Sequence, residues 1–146
     1  MSNSATIHAS AVLIGAKAAL IRGPAGSGKS QLAWQVLQGA LPFARLVADD
    51  RAYVEAGDGR LLVRPAERLA GLIEIRGLGI RRLPYEPVAA VGLVVDLAAA
   101  DASRLLAQEG SETTLGGVSL PRLAIALGMP ALPLLLAFLG TARADN

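Results

Sequence analysis

Gly23-Pro24-Ala25-Gly26-Ser27-Gly28-Lys29-Ser30 fits the pattern G-x-x-x-x-G-K-[ST]. Such a loop suits nucleotide phosphates for physical reasons. Its glycines let the backbone turn N–H groups inward around an anion, and the helix start behind it adds partial positive charge. Lys29 would reach the outer phosphates, and the Ser30 hydroxyl would ligate Mg²⁺. A glycine-rich turn can match by chance, so the flanks decide. Ala18-Ala19-Leu20-Ile21-Arg22 is short and apolar, as a buried strand is, and Ser30 to Gln38 reads as a helix. Strand, loop and helix in that order are the context the motif requires. The chain is expected to bind a nucleoside triphosphate.

Phosphoryl transfer on such a loop also needs a carboxylate at the end of an apolar strand, to hold Mg²⁺ or orient the nucleophile. Two places offer one: Leu46-Val47-Ala48 runs into Asp49-Asp50, and Val94-Val95 runs into Asp96. Either acid could simply cap the next turn. The doubled acid is the less ordinary, because neighbouring carboxylates repel and staying ionised calls for a cation nearby. Asp49-Asp50 is therefore read as the functional pair and Asp96 as structural. Leu72-Ile73-Glu74-Ile75-Arg76 alternates like a strand, with Glu74 and Arg76 on one face and a glycine-bearing loop, Gly77-Leu78-Gly79, behind it. An exposed strand carrying a stray ion pair would look the same.

The elements that must position these groups come from the rest of the pattern. Ala11 to Ile14, Gly15-Ala16-Lys17 and Ala18 to Arg22 read as a hairpin leading into the loop. A break at Gly39 to Phe43 precedes the strand Arg45 to Ala48. Ala52 to Glu55 and Arg60 to Val63 flank Ala56-Gly57-Asp58-Gly59, the mark of a second hairpin. Val91 to Asp96 suits a central strand, and Gln108 to Gly117, with its glycines and polar residues, reads as a surface loop. Strands interleaved with few helices predict an α/β domain whose sheet is mixed.

With 146 residues the chain suits one domain, and its apolar fraction of 53% against 3% aromatic means a core of Leu, Val, Ile and Ala. A net charge of +2 is too small for a nucleic-acid surface. The absence of cysteine excludes disulfides and thiolate metal sites, and a single histidine excludes a His-rich cluster. The N-terminal residues lack the basic and apolar regions of a signal peptide. Leu123 to Gly140 carries no charge and has the length of a membrane span, but Pro130 and Pro133 interrupt it, so a buried loop and helix are expected instead.

Taken together, His8, the phosphate loop, Leu46-Val47-Ala48-Asp49-Asp50 and Leu72 to Ile80 resemble HPr kinase/phosphorylase in content and order. The last segment resembles that family's signature and is more specific than the loop. The likeness covers roughly residues 6 to 125. It implies an α/β P-loop kinase domain of the HPr kinase and phosphoenolpyruvate carboxykinase-like type, spanning 1–146, without the N-terminal domain of bipartite members. It further implies a cytoplasmic, Mg²⁺- and ATP-dependent protein serine kinase acting on HPr or an HPr-like phosphocarrier, with pyrophosphate as an alternative donor. A homo-oligomer, often a hexamer, is implied as well, with no nucleic acid and no membrane.

The same resemblance assigns roles. Asp50 would be the general base for the seryl proton, with Asp49 as a supporting acid. Glu74 would join Ser30 on Mg²⁺, and Lys29 would neutralise charge on the transferred group. His8, which alone would read as a surface residue, would help position phosphate or Asp50. Arg76 and the loop Gly77-Leu78-Gly79, within the segment Glu74-Ile75-Arg76-Gly77-Leu78-Gly79-Ile80, would approach the partner protein and the reaction centre. Arg104 is the arginine expected ahead of Leu120-Pro121-Arg122-Leu123. Three features depart from the family: Gln31 stands where an acid is usual, Leu41-Pro42-Phe43 lengthens a connection, and Ala126 to Ala131 lacks the charges of an arginine-rich loop. The last departure bears on the reverse, dephosphorylating reaction. A regulatory nucleotide-binding module that has lost catalysis, or a small-molecule kinase on the same loop, are the rival readings.

Overall fold

The computed structural model describes residues 4–39, 41–102 and 112–141. Three long apolar runs set its centre: β2 (Ala9–Ile14), β3 (Lys17–Arg22) and β9 (Ala89–Leu97). In β9, neighbouring side chains are buried on both faces, as a central strand requires. Leu20 and Val94 belong to one hydrophobic cluster, while Ile21 and Val95 belong to another that includes Leu32, Val36 and Leu135 from the helices. Each such fully buried side chain stabilises the fold by roughly 1.5–3 kcal/mol.

The remaining strands of the main sheet are β1 (Ser4–Ile7), β4 (Ala44–Ala48), β5 (Ala52–Gly57), β6 (Arg60–Pro65), β10 (Glu112–Leu115) and β11 (Val118–Ile125). The main sheet runs β1-β5-β6-β9-β3-β2-β4, with β11 also on β9 and β10 on β11. β9 lies parallel to β3 and β11 and antiparallel to β6, so the sheet is mixed, as expected from the strand pattern. Both expected hairpins form. The second turns at Asp58-Gly59, where both residues take positive φ, the geometry that Asp-Gly favours between twisted strands.

A separate two-stranded sheet pairs β7 (Leu72–Ile75) with β8 (Gly79–Arg82). Gly79 and Ile80 thus belong to a strand rather than to the loop, whose tip is Arg76-Gly77-Leu78. The expected surface loop Gln108 to Gly117 also differs where it is described, because Glu112–Leu115 forms β10 and turns at Gly116-Gly117 into β11. Helix α1 (Lys29–Leu37) buries Leu32, Ala33 and Val36, one stripe at helical spacing. Helix α2 (Ala131–Gly140) carries Pro133 in its first turn, where the missing N–H breaks no helical bond. The uncharged stretch is therefore shared among the end of β11, a turn and α2. No helix among the described residues is long and apolar enough to cross a membrane.

Candidate functional site

Between the end of β3 and the start of α1 the chain forms the loop 23–28. Gly28 caps α1 with a φ of 100°, a left-handed conformation that a side chain would strain. Gly23 is fixed by contact instead: a Cβ there would lie 2.4 Å from the Ser27 Oγ and 3.1 Å from the Leu97 Cβ. The first turn of α1 holds no acidic residue, so the positive end of the helix has no countercharge from its own side chains. Lys29 curls over the loop, its Nζ donating to the carbonyls of Gly23 at 2.9 Å and Pro24 at 3.2 Å. The Ser27 Oγ is buried and makes no hydrogen bond. An anion with several acceptor oxygens would satisfy that hydroxyl and draw the lysine off the carbonyls.

The two adjacent acids separate sharply. Asp50 has a φ of 69° and sits in a three-residue turn closed by the Arg51 N–H donating to the Asp49 carbonyl at 2.8 Å. Such turns are rare and strained, and here the turn sends consecutive side chains opposite ways. Asp49 is buried, at 5% exposure, whereas Asp50 is exposed. The Asp49 carboxylate accepts from the Ser30 hydroxyl at 2.7 and 2.8 Å, from the Ser10 hydroxyl at 2.6 Å, and from the Glu74 N–H at 3.1 Å. Among the described residues no lysine or arginine forms an ion pair with Asp49 or Asp50.

Asp50 opens instead onto a cavity of about 960 Å³, lined by loop residues Ala25 to Gly28, by Lys29, Ser30, Gln31, Trp34 and Gln35 of α1 with its C-cap Gln38, and by Glu74, Ile75, Arg76, Gly77 and Gly79. The cavity therefore gathers most of the residues singled out in the sequence. Gly23, Pro24, Leu78 and Ile80 do not line it, and the last two are each 64% exposed. His8 is exposed between β1 and β2 and does not line it either. Arg104 lies outside the described residues.

Four positions were missed by sequence reasoning. Trp34, Gln35 and Gln38 share a helix face with Gln31, a spacing readable in the sequence. Ser10 gave no local signal, because it meets Asp49 across 39 positions of chain.

No group of three or more His, Cys, Asp or Glu side chains clusters as a metal site among the described residues. The Ser30 hydroxyl against one buried carboxylate instead fits Mg²⁺, which takes few protein ligands and completes its shell with phosphate oxygens and water.

Asp96, at the end of β9, is different in kind. It pairs with Arg22 at 2.7 and 2.8 Å and with Arg122, which also holds Asp101 at 2.9 Å. Burial opposes its ionisation, but the hydrogen bonds and charges of Arg22 and Arg122 outweigh burial and hold the carboxyl below its ordinary range. Hydrogen bonding to Asp101, ahead of the contacts with Asp96, raises the Arg122 pKa further.

Comparison with known proteins gives a family and a fold. The family described as HPr Serine kinase C-terminal domain matches residues 1–127. HPr kinase/phosphorylase of Streptococcus equi subsp. zooepidemicus is 32% identical over 136 residues, covering 86% of this chain and 43% of the relative. HPr kinase/phosphorylase of Streptococcus thermophilus is 42% identical over 81 residues, covering 55% of this chain and 25% of the relative. The chain thus spans less than half the length of these curated relatives. The solved structure of the Hpr(Ser) kinase/phosphatase from Coxiella burnetii superposes with a TM-score of 0.74 at 23% identity, covering 93% of this chain and 88% of that one. At that identity the likeness shows a shared fold.

Proposed function

The chain belongs to the HPr serine kinase C-terminal domain family, and from that premise we propose that it is a Mg²⁺- and ATP-dependent protein serine kinase acting on HPr or an HPr-like phosphocarrier. One observation carries the reading. A phosphate loop and an exposed acid, Asp50, line a single cavity, and a buried acid, Asp49, sits behind it on the loop's serine.

In this reading the loop N–H groups, the Ser27 hydroxyl and Lys29 hold the phosphates, and Lys29 neutralises charge that develops during transfer. Ser30 and Asp49 hold Mg²⁺, with Glu74 facing the same space. When bound, the ion supplies charge neutralisation across the phosphate oxygens. Asp50 accepts the proton of the seryl hydroxyl as that oxygen attacks, a task that needs an accessible carboxylate rather than a buried one. Arg76 and the hairpin tip face the incoming protein. His8, at the junction of β1 and β2, helps position phosphate or Asp50. A cytoplasmic homo-oligomer completes the reading, with Leu127, Met129 and Leu139 offering exposed apolar surface for subunit contact. A regulatory module without catalysis is the second reading, favoured by the uncharged stretch Ala126 to Ala131.

Intact-mass measurement of HPr after incubation with the protein and Mg-ATP tests the proposal. A gain of one phosphate, mapped to a serine, is the expected result. Unmodified HPr, in the presence of demonstrable ATP binding, would favour the regulatory module.

A further inference from the structure

Ser10 and Asp49 are the two buried polar side chains of the core among the described residues, and Ser10 is fully buried. Ser10 belongs to no motif and does not line the cavity. Its place opposite Asp49 comes from an irregularity in strand pairing. Val12 faces Leu46, but Ala11 faces Ala48, so Val47 is an extra residue on β4. Without that bulge the ladder would set Ser10 against Ala48. With it, the shifted register carries Ser10 opposite Asp49, one residue past the end of β4, where the hydroxyl donates to Oδ1 at 2.6 Å. The Ser10 Oγ also accepts a longer bond, 3.4 Å, from the Asp50 N–H, the backbone group that enters the strained turn. One hydroxyl thus touches both acids, as donor to the first and acceptor from the second.

We propose that Ser10 is a positioning residue for the acid pair, holding the Asp49 carboxylate in place when the Ser30 oxygen turns from Asp49 to a cation. The inference rests on the nucleotide-binding reading above. Ser30 cannot both remain fully committed to Asp49 and serve a metal; the Glu74 N–H still holds Oδ2, so the carboxylate needs a donor on Oδ1 that does not move. Ser10 is that donor, rooted in the core between β3 and β4. An alanine there keeps the packing but removes the donor, whereas a threonine keeps both hydrogen-bonding functions.

The test is calorimetric titration of ATP into the full chain with and without Mg²⁺, alongside melting temperatures. Ser10→Ala is expected to weaken Mg²⁺-dependent affinity about 10-fold, with Mg²⁺-free affinity unchanged and Ser10→Thr restoring most of the loss. Val12→Ala, a buried apolar change on the same strand, is expected to lower the melting temperature without altering Mg²⁺ dependence. Wild-type Mg²⁺ dependence in Ser10→Ala overturns the inference, as does an equal loss in Val12→Ala. Should Ser10→Ala melt below the assay temperature, Ser10→Cys, of similar size with a weak donor, is read by the same criteria. A wild-type chain that binds no nucleotide overturns the functional reading and this inference with it.

Discussion

Two apolar strands of this molecule end on aspartates, and their surroundings are opposite. At the end of β9, Asp96 meets two guanidinium groups, Arg22 and Arg122. At the end of β4, Asp49 is buried more deeply, yet its partners are two hydroxyls and one backbone N–H. Nearby cations complete the charge balance of the first carboxylate within the protein. The second is hydrogen-bonded but not neutralised, and it lies against the serine of a phosphate loop. A buried carboxylate without a protein cation is costly unless a cation arrives from outside. The contrast separates an acid that holds strands together from one that, in the proposed reading, serves a metal ion.

Substitutions can break the comparison from either side. The largest effect is expected from Lys29→Ala, which removes the ammonium now resting on the Gly23 and Pro24 carbonyls. ATP affinity should fall by roughly 100-fold, the value of a strong charge-assisted contact, with the melting temperature little changed. Unchanged affinity for Mg-ATP would remove the loop from the account. Next, Asp96→Ala should lower unfolding free energy by about 3 kcal/mol in denaturant titration, because two arginines lose their shared partner. If nucleotide affinity fell instead while stability held, the two acids would have exchanged roles.

The smallest effect is a pH dependence. The folded Asp96 carboxyl titrates below its unfolded value near 3.8, so its stabilisation is present above that value and lost as pH falls through the lowered one. Asp96→Asn should therefore flatten the acid side of the stability curve, below about pH 4. Equal acid sensitivity in variant and wild type would assign the acid transition to other carboxylates.

The sequence carried the outline of this contrast but not its mechanism. An unbroken apolar run marks Val91 to Asp96 as a central strand, and Gly23 to Ser30 marks the phosphate loop with its helix, because both signals are local. The separation of Asp49 from Asp50 was not legible. It depends on an extra residue at Val47 and on a positive φ at Asp50, a conformation that a non-glycine residue rarely advertises. Ser10 was hidden for the same reason, since a one-residue change of register decides which way each side chain faces. Only the start of β8, Gly79-Ile80, reads as loop, because Gly77 and Gly79 signal a turn, and strand pairing with Leu72–Ile75 overrides that local preference. Likewise, β10 is a strand only through its pairing with β11.

The central claim is that the neighbouring acids divide the work: Asp49 for the cation, Asp50 for the reaction. Measuring Mg²⁺-dependent ATP affinity and phosphoryl transfer to HPr side by side for Asp49→Asn and Asp50→Asn tests it most directly. If the acids divide the work in this way, Asp49→Asn loses the gain in affinity that Mg²⁺ provides. Asp50→Asn, whose side chain tolerates the left-handed turn, should keep that gain while transfer falls by about 100-fold or more. Wild-type transfer by Asp50→Asn, or an undiminished Mg²⁺ effect in Asp49→Asn, would contradict it.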